Sequence, residues 1–252
     1  DKNPQEVLKQ QENLPFATPK IVYVLMFLIF VSFLVWGLKL NKWLGLVMFF
    51  GVATQSLTVI KSGLLYSFGM GFWGPNGHDG VWHLALINNL LNHFPPQNPV
   101  FAQFKLLNYH WLFDLLVALV HKVTFIPSLN LYFQIFPIVF SGLLGILTFL
   151  LMKRWIKNSL SSCLAVVFIY FGGSFGWLTG LLKDGKFGGE SVFWANHSVS
   201  TLINPPYVLS LVIILLGFLT LIKYISKPTI NNLVICSILF GSLFSPSYIY
   251  NI

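Results

Sequence analysis

The feature that most limits how this chain can fold is a series of apolar runs separated by short polar or basic punctuation. Ile21 to Leu38, Trp43 to Ile60, Leu131 to Met152, Ser159 to Leu182, Val208 to Ile222 and Asn232 to Phe244 contain no charged residue. A helix of about 20 apolar residues covers the hydrocarbon core of a bilayer, and in lipid every backbone polar group must be satisfied within the segment. The runs therefore predict helices, and the expected fold class is all-α. The architecture expected is a polytopic transmembrane helical bundle with a long outer loop containing juxtamembrane helices. Only 9% of the 252 residues are charged, against about 25% in soluble domains.

Residues 1–20 are polar, carry Pro4, Pro15 and Pro19, and read as a tail ahead of the membrane. Residues 21–252 read as one transmembrane module, expected to be incomplete at its C-terminus because Ile252 follows directly on a hydrophobic run. The net charge of +8 does not point to nucleic acid: the 15 Lys and Arg lie scattered at the ends of apolar segments, whereas a nucleic-acid footprint clusters. Cys163 and Cys236 fall inside apolar runs and read as small buried hydrophobes.

In so apolar a chain the few acids are informative. Of seven carboxylates, Asp1, Glu6 and Glu12 sit in the tail. Asp79 and Asp114 belong to the stretch Gly71 to Asp114, together with His78, His83, His93 and His110, which are four of the six histidines. Asp184 and Glu190 share a second polar loop, Lys183 to Tyr207, with His197.

In the first stretch, glycines and Pro75 break regular structure until about Val81. Helical spacing then places Trp82, Leu86, Asn89 and His93 on one stripe and Leu84, Ile87 and Leu91 on another, as in a helix lying at an interface. Asp79 stands at the mouth of that helix with His83 at i, i+4. It reads either as an N-cap or as a general base or metal ligand. His110 and Asp114 repeat the spacing, and because an acid in an apolar segment needs a partner, His110 is the expected one. Lys105, just ahead of that segment, suits either a lipid phosphate or ordinary interfacial snorkelling. The second loop offers Asp184, Glu190, Asn196 and His197, and Asn196-His197-Ser198 matches a glycosylation acceptor in form. The chain contains no HExxH, CxxC or phosphate-binding Gly-rich loop.

Residues 109–125 decide the topology. If they cross, ten Lys and Arg share the side of the long loop against five, which favours a cytoplasmic loop. If they do not, the division is eight against seven, both polar loops share one face, and the basic clusters at 153–157 and 223–227 lie opposite. The expectation is that they do not cross, because the acids and histidines then meet.

The order of a hydrophobic helix, a long loop with an acid near its start, a Pro-rich turn, a Tyr-aromatic segment and a helix ending in Lys153-Arg154 resembles the N-terminal module of GT-C membrane glycosyltransferases. The stretch HDGVWHLALINNLLNHFPPQNP followed by LNYHWLFDLL is most similar to uncharacterised members. The resemblance implies an integral protein of the cell membrane with its active site facing outside. It further implies transfer of a hexose or pentose from a polyprenyl-phosphate-linked sugar to an acceptor. It matches Asp79 to the catalytic base, with a divalent metal such as Mg or Mn possible at that acid, and Asp184 to an acid completing the site. Lys105, Tyr109 and His110 match the donor-phosphate site. His83 joins Asp79 as a catalytic candidate, and His78, Asp114, Glu190 and His197 as supporting residues. The chain departs from the usual pattern of two adjacent acids, having His78 before Asp79. The alternative is a transporter or flippase-like protein in which Asp114 and the histidines line a polar intramembrane path.

Overall fold

The computed structural model describes residues 18–101, 104–106, 109–173, 175–186 and 196–243, and these are mostly helical. The first apolar run forms α1 (Lys20–Leu40). Its 21 residues reach about 30 Å, the thickness of a bilayer core. Asn41 ends it in an extended conformation and caps α2 (Lys42–Leu57), its side chain accepting from the Trp43 N–H at 2.8 Å.

The long loop follows. A small antiparallel hairpin, β1 (Leu64–Tyr66) against β2 (Gly69–Gly71), pairs Leu64 with Gly71 and Tyr66 with Gly69. A 3-10 turn over Gly74–Gly77 then leads into α3 (Asp79–Asn92), and α4 spans Leu112–Thr124. The helix α5 runs from Ser128 to Ile156 with one π-helical turn at Leu131–Ile135. Beyond it lie α6 (Ser159–Phe171), α7 (Gly176–Asp184), the single turn α8 (His197–Ser200), α9 (Pro205–Ser226) and α10 (Ile230–Gly241).

By length and composition, α1, α5 and α9 are suited to cross a membrane, and on that ground the chain is read as a membrane protein. Of the three, α5 is central: 72% of its apolar window is buried, against 11% for α1 and 17% for α9. Small residues let neighbours close on it. A Cβ on Gly142 would collide with the Phe33 ring of α1. Two links of the bundle's buried polar groups join α2, α5 and α6. Ser141 donates to Gln55 Oε1 at 2.8 Å, and Tyr170 donates to the Ser141 carbonyl at 2.7 Å.

Hydrogen bonds at the helix ends define the threading. Gln134, near the start of α5, donates to the carbonyls of Ile60 and Ser62 just past α2, at 3.0 and 2.8 Å. Asn130 donates to Thr18, ahead of α1, at 3.2 Å. The start of α1, the end of α2 and the start of α5 therefore share one end of the bundle. The helix within 109–125, α4, has 13 residues and is not among the helices long enough to cross a membrane. Farther on, Gln55 donates to the His197 carbonyl at 3.3 Å, bringing the second polar loop to the same end. The opposite end holds the tight turn at Asn41 and the basic turns at Lys153 to Lys157 and Lys223 to Lys227.

Three details differ from the sequence expectation. The run 159–182 is two helices, broken where the Gly172 carbonyl accepts from the backbone N–H of His197 at 2.9 Å. The buried face of α3 is Gly80, His83, Leu86, Ile87 and Leu90 rather than the stripe through Trp82 and His93. The α4 helix begins at Leu112, so Tyr109, His110 and Trp111 precede it.

Candidate functional site

The site is assembled where α3 and α4 pack against the π-helical turn of α5. Ser62 fixes the approach to α3 by accepting from the Trp73 N–H and from Asn76 Nδ2, both at 3.0 Å. Asp79 is the first residue of α3, and His78 precedes it without a side-chain cap. The Asp79 carboxylate thus sits in the first turn, where the helix dipole favours negative charge. It pairs with His78 Nδ1 at 2.8 Å in the open, the two side chains being 50% and 92% exposed.

One turn on, the environment reverses. His83 faces inward, and its Nδ1 lies 2.9 Å from Asp114 Oδ1 and 3.2 Å from Oδ2, with side-chain exposures of 5% and 0%. His83 is the partner of Asp114, which corrects the expectation of His110. An i, i+4 pair requires both residues within one helix, and His110 lies ahead of the first residue of α4. The expected Asp79–His83 face is corrected too, since Asp79 bonds to His78 and His83 turns to Asp114.

With Asp114 ionised and His83 neutral, Nδ1–H donates to the carboxylate and Nε2 remains an acceptor. The Tyr109 hydroxyl faces that nitrogen at 3.5 Å, a long contact. Tyr109 and His110 stack with ring centroids 4.5 Å apart, and both approach His83, at 6.1 and 6.4 Å. Trp82 lies T-shaped against Tyr109 at 5.7 Å. Tyr132, from the π turn, closes the floor with its ring 5.9 Å from His83. Its hydroxyl is buried with no hydrogen-bond partner among the described residues.

Burial raises the Asp114 carboxyl above its usual pKa, opposed by the hydrogen bond and charge of His83. Burial also pushes Tyr109 up to about 12, reinforced by the negative charge of Asp114. His110 is pushed down, first by burial and then by His83. Burial thus works against the charged form of Asp114, Tyr109 and His110 alike.

The remaining sequence candidates are dispersed. Lys105 is exposed and joined to Gln97 through an isolated β-bridge, and no contact among the described residues ties its ammonium to Tyr109 or His110. Asp184 is exposed at the end of α7, without a bond among the described residues to Asp79 or His83. Glu190 lies outside the described residues. His197, with Ser200, Thr201 and Tyr207, forms the polar side of a cavity of about 920 Å³ whose other walls are Phe168, Phe171 and Phe175. A smaller cavity of about 70 Å³ adjoins His110, Ser210 and Ser242. The first turns of α9 line both, so the large cavity is a neighbour of the carboxylate–histidine cluster and not its centre.

Tyr132 was not singled out by the sequence because it lies within an apolar run. The signal present was the polar pair around it, Asn130 and Gln134, at the mouth of that run. As for the metal implied at Asp79, no three His, Cys, Asp or Glu among the described residues gather as ligands. Asp114 is already held by His83, and Asp79 has only His78 beside it. Among the described residues no closed set of protein ligands stands at Asp79. The chain matches no family model, no curated protein and no solved structure.

Proposed function

We propose that the chain is a membrane glycosyltransferase that moves a hexosyl or pentosyl group from a polyprenyl-phosphate-linked sugar to a hydroxyl acceptor, at the outer face of the cell membrane. The observation that carries this reading is the gathering of Asp79, His83, Tyr109, His110 and Asp114 at one end of the helical assembly, on α3, α4 and the residues just ahead of α4. The basic turns occupy the other end, and with the polar tail left out that end carries seven Lys and Arg against five on the loop side, which by the positive-inside rule supports a cytoplasmic placement of that end in a polytopic arrangement.

In the proposed reaction an acceptor hydroxyl oxygen attacks the anomeric carbon and the carbon–oxygen bond to the carrier phosphate breaks. The phosphate leaves with the bonding pair. The hydroxyl proton passes to Asp79, whose exposed carboxylate is accessible to a substrate, while His83 is oriented by donating Nδ1–H to Asp114. Lys105 is exposed on the same loop and supplies a cation for the carrier phosphate.

The buried His83–Asp114 pair also favours a transporter, whose proton path uses such groups. Depth argues against it. Tyr132 is the fifth residue of α5, about 6 Å along a helix whose bilayer midpoint lies at about 15 Å. The pair beside it is therefore near the end of the bundle, whereas transporters bind near the midplane.

The test is sugar transfer in membranes from a radiolabelled polyprenyl-phosphate hexose. Asp79→Asn should lower transfer about 10²- to 10⁴-fold while expression and thermal stability stay unchanged. Asn caps a helix about as well as Asp, so undiminished transfer in this variant assigns Asp79 a structural role. Lys105→Ala should weaken binding of the lipid phosphate, with Lys105→Arg a partial rescue.

A further inference from the structure

A groove runs from the turn between α1 and α2, at the end of the bundle opposite the acids and histidines of the long loop. Its walls are one stripe of each helix: Leu34 and Leu38 on α1, and Lys42, Trp43, Leu46 and Phe49 on α2. Spacings of three and four keep such residues on one helical face. Gly45 also lines the groove and lets the helices close on each other, since a Cβ there would collide with the Leu38 side chain. The cavity holds about 410 Å³, and Leu38, Leu46 and Phe49 are 49%, 50% and 42% exposed. From Lys42 to Phe49 it follows α2 for about 10 Å.

Position and charge identify the occupant. The α1 helix is long enough to span the hydrocarbon core, and Lys42 lies just beyond its last residue, Leu40. The ammonium therefore stands at the headgroup level, while Leu34 and Phe49 lie at the depth of the acyl chains. Lys42 is exposed, with Nζ 5.6 Å from the Trp43 ring centroid, and no ion pair among the described residues neutralises it. The turns at this end, 39–42, 153–157 and 223–227, carry seven Lys and Arg and no acid. A cation at the headgroup level over an apolar channel calls for an anion joined to a hydrocarbon chain. Free phosphate would leave the apolar walls uncovered, and a zwitterionic lipid brings its own cation to a surface that is already positive. A second copy in the same orientation would bring an equally cationic end to the same level.

We propose that the groove between α1 and α2 is a binding site for an anionic phospholipid, its phosphate on the Lys42 ammonium beside the Trp43 indole and one acyl chain along Leu38, Leu46 and Phe49. The site is independent of the Asp79 cluster and stands whether or not the chain transfers sugar.

The experiment reads Trp43 fluorescence, taken as wild type minus Trp43→Phe, for the whole chain in nanodiscs holding equal amounts of phosphatidylglycerol and phosphatidylcholine. Bromine quenchers are carried on the acyl chains of one lipid or of the other. Brominated phosphatidylglycerol should quench more, corresponding to about fivefold enrichment in the groove. Lys42→Gln should abolish the preference and Lys42→Arg should keep it, both melting with the wild type because the side chain is exposed. Lys223→Gln, which removes the same charge from the same end outside the groove, should leave the preference intact, as should inorganic phosphate. Equal quenching by the two lipids, a preference that survives Lys42→Gln or falls equally in Lys223→Gln, or one that inorganic phosphate abolishes would overturn the site. Disulfide cross-linking of two copies through Leu46→Cys, at a yield that phosphatidylglycerol does not lower, would assign the groove to a second copy and overturn it too.

Discussion

Two histidine–aspartate pairs begin one turn apart on α3, with nearly the same separation and opposite surroundings. His78 and Asp79 meet at 2.8 Å on the rim, and His83 meets Asp114 at 2.9 Å in the interior. Distance therefore says little about what either pair does. On the rim, water screens the charges and both partners keep their hydration, so the pair adds little to stability and leaves Asp79 free for chemistry. Inside, each partner has lost its water and depends on the other. Removing one leaves a buried polar group unsatisfied, although the intact pair need not outperform a well-packed apolar replacement.

The largest effect expected from this contrast is on the interior pair. Asp114→Ala should destabilise the protein by about 3–5 kcal/mol, read as a lower melting temperature in detergent. A loss as small as that of a rim variant would erase the distinction. Replacing both partners, as in His83→Phe with Asp114→Leu, should recover much of that loss because no unpaired polar group remains. A double variant no more stable than Asp114→Ala would show that the pair is needed for specific packing. Function should separate from stability here, with the double variant folded yet inactive in sugar transfer.

The pH dependence sharpens the comparison at the boundary between rim and interior, where His110 sits. Its folded pKa is depressed by burial and by His83. Its contribution is therefore present above the unfolded value of about 6.5 and is lost as pH falls through the lower folded value. Melting temperature should decline on acidification through that window, and His110→Gln should flatten that part of the profile. An unchanged slope would place the titration elsewhere. At alkaline pH, Tyr109 is expected to ionise near 12. The tyrosinate absorbance of the wild type minus that of Tyr109→Phe should therefore rise only above the range of an ordinary phenol at about 10.

The smallest effect belongs to the rim. His78→Ala should change stability by at most about 0.5 kcal/mol, and that difference should vanish in high salt. A larger, salt-insensitive loss would mean that the pair is shielded from water when the chain is in its membrane.

Much of the helical layout was legible in the sequence. The runs beginning at Ile21, Trp43, Leu131 and Val208 became α1, α2, α5 and α9 within a few residues, because an apolar segment in this setting has helix as its stable way to satisfy the backbone. The run 159–182 was less legible. Its break at Gly172 depends on a hydrogen bond from His197, remote in the chain, although its glycines marked where a break was possible. That residues 109–125 do not cross is an expectation from the grouping of acids, against the charge count, while the neighbourhood of the start of α5 and the end of α2 was not legible and comes from Gln134 bonding back to Ile60 and Ser62.

The amino-acid order alone told where helices lie and that the few acids and histidines concentrate in two polar stretches, although of the six apolar runs those of α1, α5 and α9 became helices of membrane-spanning length. Composition and run length suffice for that, since the hydrophobic effect and backbone satisfaction act locally along the chain. Only the tertiary structure decided which histidine holds Asp114. Periodicity constrains neighbours within one helix, while the choice of His83 arises from the packing of α3 on α4. It also decided that Tyr132, one aromatic among many in an apolar run, brings an unbonded hydroxyl to the same cluster. The rotation of α5 at its π turn exists only once the helices are packed together.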